Sequence, residues 1–363
     1  MLLGTLSVLF HVLCIYVHVV SAATCSCSPL FVPVHVDVLV PKDPMDVFAG
    51  LKSNLSSLRR VDDTYDIYGV FCRPDTMPPK KAGVLQLLVH GLTYTSQYWS
   101  PPVEEFRNYS YAAFSCDHGL STLAIDWLGV GLSSRPINAS DVQFPTGAAA
   151  LSQIARHLKK SSILPGVSPF RKIIGIGHSV GSSLLNFGAI VEGARFPFDG
   201  LILTGSLSVM VPPPSIVRLS ARDVDPLRWG ALDPGYITTT SDRTAFYPAN
   251  PNAFSPRMLI FDDFTKDVGS VSTFQQAPTT TLTTRYTGPV SKVVGSEDQI
   301  LCVQTGRCAD IAALTATEQG LWPAAQSFEV VVAQGSGHDL NLDFLAQGPF
   351  NTFIRLVYQF AGL

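Results

Sequence analysis

Charge is scarce and nearly balanced in this chain: 25 Lys and Arg stand against 28 Asp and Glu, together 15% of 363 residues, for a formal net charge of −3. That leaves no basic stripe to neutralise phosphates, which argues against nucleic acid as a partner. A P-loop, a dinucleotide fingerprint and Cys/His groups at zinc spacing are also missing, so nucleotide and metal roles are disfavoured and no cofactor is expected. Internal repeats and low-complexity tracts are absent. Lys, Arg, Asp and Glu are wholly lacking from Met1 to Ala23, and the small residues Ser21-Ala22-Ala23 suit signal-peptidase cleavage near Ala22 or Ala23. Residues 1–23 are therefore read as a signal peptide, with an uncleaved membrane anchor as the alternative. The anchor stays open because no Lys or Arg precedes the apolar run, which is about long enough to span a bilayer.

What is present fits a secreted globular protein. Loss of Cys14 with the signal leaves Cys25, Cys27, Cys72, Cys116, Cys302 and Cys308, an even set with about 15 possible connectivities. Cys302 and Cys308 are the best candidates for a local bridge, since both lie in the loop that follows Asp298; two buried free thiols are the alternative. Asn-x-Ser sequons begin at Asn54, Asn108 and Asn138 and would place glycans on the surface. With 46% hydrophobic residues the chain can bury a large core.

Apolar runs alternate along the sequence. Strands are expected near residues 35–40, 65–71, 84–89, 122–126, 172–176, 201–204, 292–294 and 328–333. Helical spacing links Ala148, Leu151, Ile154, Ala155 and Leu158, then Leu184, Phe187, Ile190 and Val191, and finally Phe350, Phe353, Ile354, Val357 and Tyr358. Such alternation implies an α/β protein with a largely parallel sheet covered on both faces.

The run Ile173-Ile174-Gly175-Ile176-Gly177-His178-Ser179-Val180-Gly181 is an apolar strand ending in Gly-x-Ser-x-Gly and continuing into a helix-like segment. This context suits a nucleophile elbow, with Ser179 as nucleophile and glycines that permit close backbone packing. A serine hydroxyl needs a base, an acid that orients the base, and donors for the oxyanion. One histidine follows Ser179 in the whole sequence, His338, in a glycine turn after a β-rich run. Among the intervening carboxylates, Ser296-Glu297-Asp298-Gln299 sits at the end of a strand. Asp298 is preferred to Glu297 because its shorter side chain holds an imidazole more tightly. The Val180 N–H, at a helix N-terminus, is the first oxyanion donor. Leu92 N–H, in His90-Gly91-Leu92-Thr93 after a strand, is the second. His90 itself is assigned a loop-shaping role.

In their order these motifs resemble the α/β-hydrolase fold. The resemblance rests on Leu88-Val89-His90-Gly91, the stretch from Ala124 to Ser134, Gly177-His178-Ser179-Val180-Gly181, Gly295-Ser296-Glu297-Asp298 and Gly337-His338. Within that family the chain most resembles secreted fungal hydrolases, through Phe246-Tyr247, Phe261-Asp262-Asp263-Phe264-Thr265-Lys266-Asp267 and the two cysteines after the acid. The resemblance implies a Ser179, Asp298, His338 triad and leaves the substrate open. One departure is the lack of a proline after His90-Gly91, which leaves that turn less constrained. Asp126 is read as structural.

The expected division is a hydrolase core over 24–206, a cap over 207–290 and the rest of the core over 291–363. Met210, Val211, Trp229, Phe246, Tyr247 and Phe254 would form either an apolar pocket or the cap's own core, and Pro212-Pro213-Pro214 would stiffen the chain there. The expected activity is hydrolysis of a small apolar ester or lactone through an acyl-enzyme on Ser179. Alternatives are a peptidase or amidase with the same triad, a hydrolase dedicated to fungal secondary metabolism, and a catalytically silent binding relative. A serine on the elbow argues against epoxide hydrolases and haloalkane dehalogenases of this fold, which carry aspartate there.

Overall fold

The structure is a computed structural model describing residues 25–45, 55–160, 164, 167–213, 215–240, 242–276 and 281–363. The proposed signal peptide and the Asn54 sequon lie outside the described residues. No helix among the described residues is long and apolar enough to cross a membrane.

In chain order the first half of the core comprises β1 (Cys25–Pro41), β2 (Leu58–Pro74), β3 (Val84–Val89), α1 (Tyr111–Asp117), β4 (Ser121–Ile125), α2 (Phe144–Lys160), β5 (Lys172–His178), α3 (Val180–Glu192) and β6 (Gly200–Thr204). An insertion follows with β7 (Arg218–Ser220), α4 (Ala221–Val224), α5 (Pro226–Trp229), β8 (Tyr236–Thr239), α6 (Pro256–Thr265), β9 (Gly269–Ser270) and α7 (Val271–Gln276). The core closes with β10 (Val290–Gly295), α8 (Ile311–Gln319), β11 (Phe328–Ala333) and α9 (Gln347–Ala361).

Eight strands form one sheet in the order β1-β2-β4-β3-β5-β6-β10-β11. From β4 to β11 every pairing is parallel, whereas β1–β2 and β2–β4 are antiparallel. The central strands read as nearly unbroken apolar runs because both of their faces are covered. Alternate residues of β3 show this: Leu85, Leu87 and Val89 pack with α2 and α3, while Val84 and Leu88 join the opposite cluster with Phe350, Phe353 and Val357 of α9. The periodic residues picked out for α2 are all buried.

Two sequence expectations need correction. The first two strands are 17 residues each, far longer than the 35–40 and 65–71 windows. As the sheet edge, β1 carries Pro29, Pro33 and Pro41 and several exposed residues, so neither unbroken apolarity nor the absence of proline marks its length. The insertion also contains a small antiparallel sheet, β7-β8-β9, which its short strands did not reveal, and β10 begins at Val290, one residue inside the expected cap.

Three disulfides join Cys302 to Cys308, Cys25 to Cys116 and Cys27 to Cys72. The first is the bridge expected next to Asp298. The other two tie β1 to α1 and to β2.

Behind the sheet end that carries Asp298, Lys292 is fully buried on β10 and places Nζ 2.7 Å from Glu318 Oε2 on α8. Burial disfavours the Glu318 carboxylate, but the Lys292 charge and hydrogen bonds from Lys292 and Ser208 outweigh it and hold Glu318 below its usual range. Removing Glu318 strands the Lys292 charge in the core. Glu318→Ala is therefore expected to cost about 3–5 kcal/mol in urea unfolding, whereas Lys292→Met with Glu318→Leu should recover most of that loss.

Candidate active site

Ser179 sits between β5 and α3 at φ +50°, ψ −118°, one of two non-glycine residues with positive φ among the described residues. Such a conformation costs on the order of 1–3 kcal/mol and persists only where neighbours over-determine it. Here they do. Ser179 N–H donates to Thr204 O (2.9 Å) on β6, Ser183 N–H donates to Ser179 O (3.1 Å), and Ser182 Oγ donates to Thr204 O (2.8 Å). The two motif glycines are steric necessities: a Cβ on Gly177 would lie 2.6 Å from the Ser182 backbone, and one on Gly181 would strike the Val89 and His90 carbonyl oxygens.

Asp298 follows β10 and is fully buried. Its Oδ1 accepts the N–H groups of Ile300 (2.8 Å) and Leu301 (3.0 Å), capping a single π-helical turn, Gln299–Val303. Its Oδ2 lies 2.7 Å from His338 Nδ1. A carboxylate can only accept, so the proton sits on Nδ1 and Nε2 is left with its lone pair. The Cys302–Cys308 bridge closes the loop whose Cys302 and Val303 N–H groups bond Asp298 O, both at 2.9 Å. Glu297 is half-buried and gives its backbone N–H to Ser336 O (2.9 Å), so the acid that meets His338 is Asp298.

Burial disfavours the charged His338, but the Asp298 charge and hydrogen bond, with Asp339 adding its field, hold its pKa above the ordinary histidine value.

Ser179 and His338 line one cavity of about 80 Å³, together with Leu92 and Val180. A Cβ on Gly91 would fall 3.2 Å from Ser179 Cβ, so the His90-Gly91-Leu92 loop runs directly beside the serine. Val180 is the first residue of α3, whose N–H has no intrahelical acceptor, and Leu92 N–H finds no acceptor among the described residues. His90 is buried, stacks on Trp127 and accepts the indole N–H at 3.0 Å, in keeping with a loop-shaping role. Asp126 is likewise structural: it accepts the N–H groups of Ser96 (2.7 Å) and Leu132 (2.9 Å).

The expected consequence of a missing proline is corrected by the insertion. Thr93, at φ +64°, is tied on both sides: its hydroxyl accepts from Arg243 Nη1 (3.1 Å) and its carbonyl accepts from Asp267 N–H (3.0 Å). Arg243 is fully buried and ion-paired with Asp262 (2.8 Å), so part of the stretch from Phe261 to Asp267 braces the turn.

Sequence reasoning missed a second buried polar group beside His338. His178 Nε2 meets Asp339 Oδ1 at 3.2 Å, Tyr94 OH donates to Asp339 Oδ2, and the His178 and His338 ring centres are 5.0 Å apart. Burial, reinforced by the nearby His338 charge, drives His178 well below the ordinary histidine value and keeps it neutral. Burial pushes Asp339 above the usual carboxylate range. The one available signal was adjacency, since His178 precedes Ser179 and Asp339 follows His338.

The apolar residues of the insertion divide between the two expected uses. Met210 and Phe246 line the cavity, as does Pro212, whereas Trp229 joins the main core, Tyr247 packs on Phe254 with ring centres 4.6 Å apart, and Val211 is exposed. Pro214 lies outside the described residues. A larger cavity of about 780 Å³, bounded by Ser96, Asp126 and Arg228, lies apart from Ser179 and His338 and contains neither.

No curated protein sequence matches the chain. Among solved structures it is similar to a monoglyceride lipase from Saccharomyces cerevisiae (TM-score 0.54, 14% identity, covering 82% of this chain and 93% of that one). It is also similar to a monoacylglycerol lipase from Paleococcus ferrophilus (TM-score 0.51, 17% identity, 81% and 99%) and to a thermophilic esterase from Thermogutta terrifontis (TM-score 0.51, 16% identity, 82% and 95%). At such identities the likeness is one of fold. The sequence profile of the alpha/beta hydrolase family matches residues 86–347, most of the chain, and with the fold and motif order above this protein belongs to the alpha/beta hydrolase family.

Proposed function

We propose that this protein is a secreted serine hydrolase that cleaves short carboxylic esters or lactones through an acyl-enzyme on Ser179. The observation that carries this reading is the Asp298–His338 pair, whose imidazole lines the same small cavity as a serine held at an elbow. In this mechanism Ser179 Oγ attacks the carbonyl carbon as His338 Nε2 takes its proton. The tetrahedral oxyanion is held by Val180 and Leu92 N–H, each worth about 3–4 kcal/mol in comparable sites. His338 then returns the proton to the leaving oxygen, and a water deprotonated by His338 releases the acid and restores Ser179. Asp298 keeps the imidazole in the required tautomer throughout. Residues of the insertion wall the cavity, which supports its role as a cap over the serine. Esterase and monoacylglycerol lipase structures with this fold support ester chemistry. The uncharged leader, three disulfides and exposed Asn108 and Asn138 support the secretory route.

A fluorophosphonate probe should label the protein and fail to label Ser179→Ala; labelling that survives would remove Ser179 as nucleophile. Because about 80 Å³ is far below the roughly 300–1,000 Å³ of sites enclosing drug-sized ligands, p-nitrophenyl esters with two- to four-carbon acyl groups should be cleaved with kcat/KM at least tenfold above those with twelve or more carbons. His338 must be neutral to act as base and its pKa is raised, so kcat/KM should fall as pH drops, with a midpoint above about 6.5. Asp298→Asn should cut kcat by about 10⁴-fold and move that midpoint to lower pH, because the group that stabilises the imidazolium is gone. Glu297→Gln should leave both nearly as in the wild type.

A further inference from the structure

Among the described residues, one permanently charged side chain lines the cavity that holds Ser179 and His338. Arg218, on β7 of the insertion, lines it together with apolar residues such as Ile216, Phe274 and Ile300. Its register partner on β8, Thr239, lines the same cavity, which anchors the arginine's backbone at the wall. The side chain is half-buried, and its Cζ lies 3.6 Å from the centre of the Phe274 ring. Stacking covers a face of the guanidinium, but the N–H bonds lie in its plane and remain able to donate. No carboxylate among the described residues pairs with Arg218, and burial alone accounts for the lowering of its pKa from the ordinary arginine value. This distinguishes it from Arg243, the fully buried arginine behind the same wall, which is neutralised by Asp262.

A half-buried cation without a carboxylate partner has lost part of its hydration in a cavity lined mostly by apolar groups. That loss is recovered when an anion arrives, and a guanidinium edge matches a carboxylate in a two-point, charge-assisted contact. We infer that Arg218 is a specificity-determining residue that binds a carboxylate of the substrate, so that the preferred substrate is a small ester or lactone bearing a free carboxylate close to the reacting carbonyl. This inference rests on the reading of the site as an ester hydrolase and differs from the sequence expectation of an apolar substrate.

The test compares monoethyl glutarate with diethyl glutarate, one carrying the carboxylate and the other masking it, by proton release at constant pH. The wild type should favour the half-ester at least tenfold in kcat/KM, chiefly through KM, and added salt should erode that preference. Arg218→Gln should lower kcat/KM for the half-ester at least tenfold more than for the diester, and Arg218→Lys should keep part of the preference. Equal kcat/KM for both esters in the wild type, or a ratio unchanged in Arg218→Gln, overturns the inference. If Arg218→Gln does not fold, the wild-type ratio and its salt dependence decide alone. Should the wild type cleave neither ester, the hydrolase reading fails for these substrates, and calorimetric binding of glutarate and glutaramide to Ser179→Ala decides the recognition separately. Glutarate bound at least tenfold more tightly than glutaramide, with the difference abolished by adding Arg218→Gln, upholds it; no difference overturns it.

Discussion

The backbone at Ser179 is the constraint on which the site depends. A serine at φ +50° is unfavourable alone, and it is held there because β5 is pinned between β3 and β6 and the Ser179 N–H is claimed by Thr204 on the neighbouring strand. The same tight turn brings Gly181 against the Val89 and His90 carbonyls, which sets the Gly91-Leu92 loop beside the serine. One strained residue therefore positions both a hydroxyl and the backbone groups that would face an oxyanion.

Around His338 the protein concentrates buried charge and then compensates it. Asp298 spends one oxygen on backbone N–H groups and the other on the imidazole, so it has no freedom to swing away. Asp339 is engaged by His178 and Tyr94, and Asp262 by Arg243 and Tyr247. Each carboxylate is tied to donors that differ in kind, and the one shared with His338 is the one without a competing side-chain donor. Such a network is rigid because any member left unpaired in the low-dielectric interior would be costly. Arg243 extends this bracing from the insertion to Thr93, which ties the wall of the cavity to the loop that carries Leu92.

The insertion explains why residue type alone could not assign its aromatic side chains. Phe246 lies against His338 at 6.0 Å between ring centres and faces the cavity, while its neighbour Tyr247 turns away to Phe254 and Asp262. Adjacent residues on a short, irregular segment point to opposite sides, so composition says that an apolar lining exists but not which side chain supplies it. Arg218 was hidden for a different reason: its significance comes from the absence of a carboxylate partner among the described residues.

Much of the core was legible. The apolar runs of β3 to β6 and β10 mark strands buried on both faces, that of β11 marks an edge strand, the i, i+3, i+4 spacing marks α2, α3 and α9, and Gly-x-Ser-x-Gly between a strand and a helix marks the elbow, because these are local consequences of periodicity and backbone sterics. His338 was legible by being the one histidine downstream of Ser179, and Asp298 by its place at a strand end. The length of the first two strands, the small sheet of the insertion, the bracing of Thr93 by Arg243, the second His–Asp pair and the lack of a carboxylate partner for Arg218 among the described residues were settled by tertiary structure. Each depends on which groups meet across tens to hundreds of residues, and burial and charge pairing are properties of that meeting rather than of any stretch of chain.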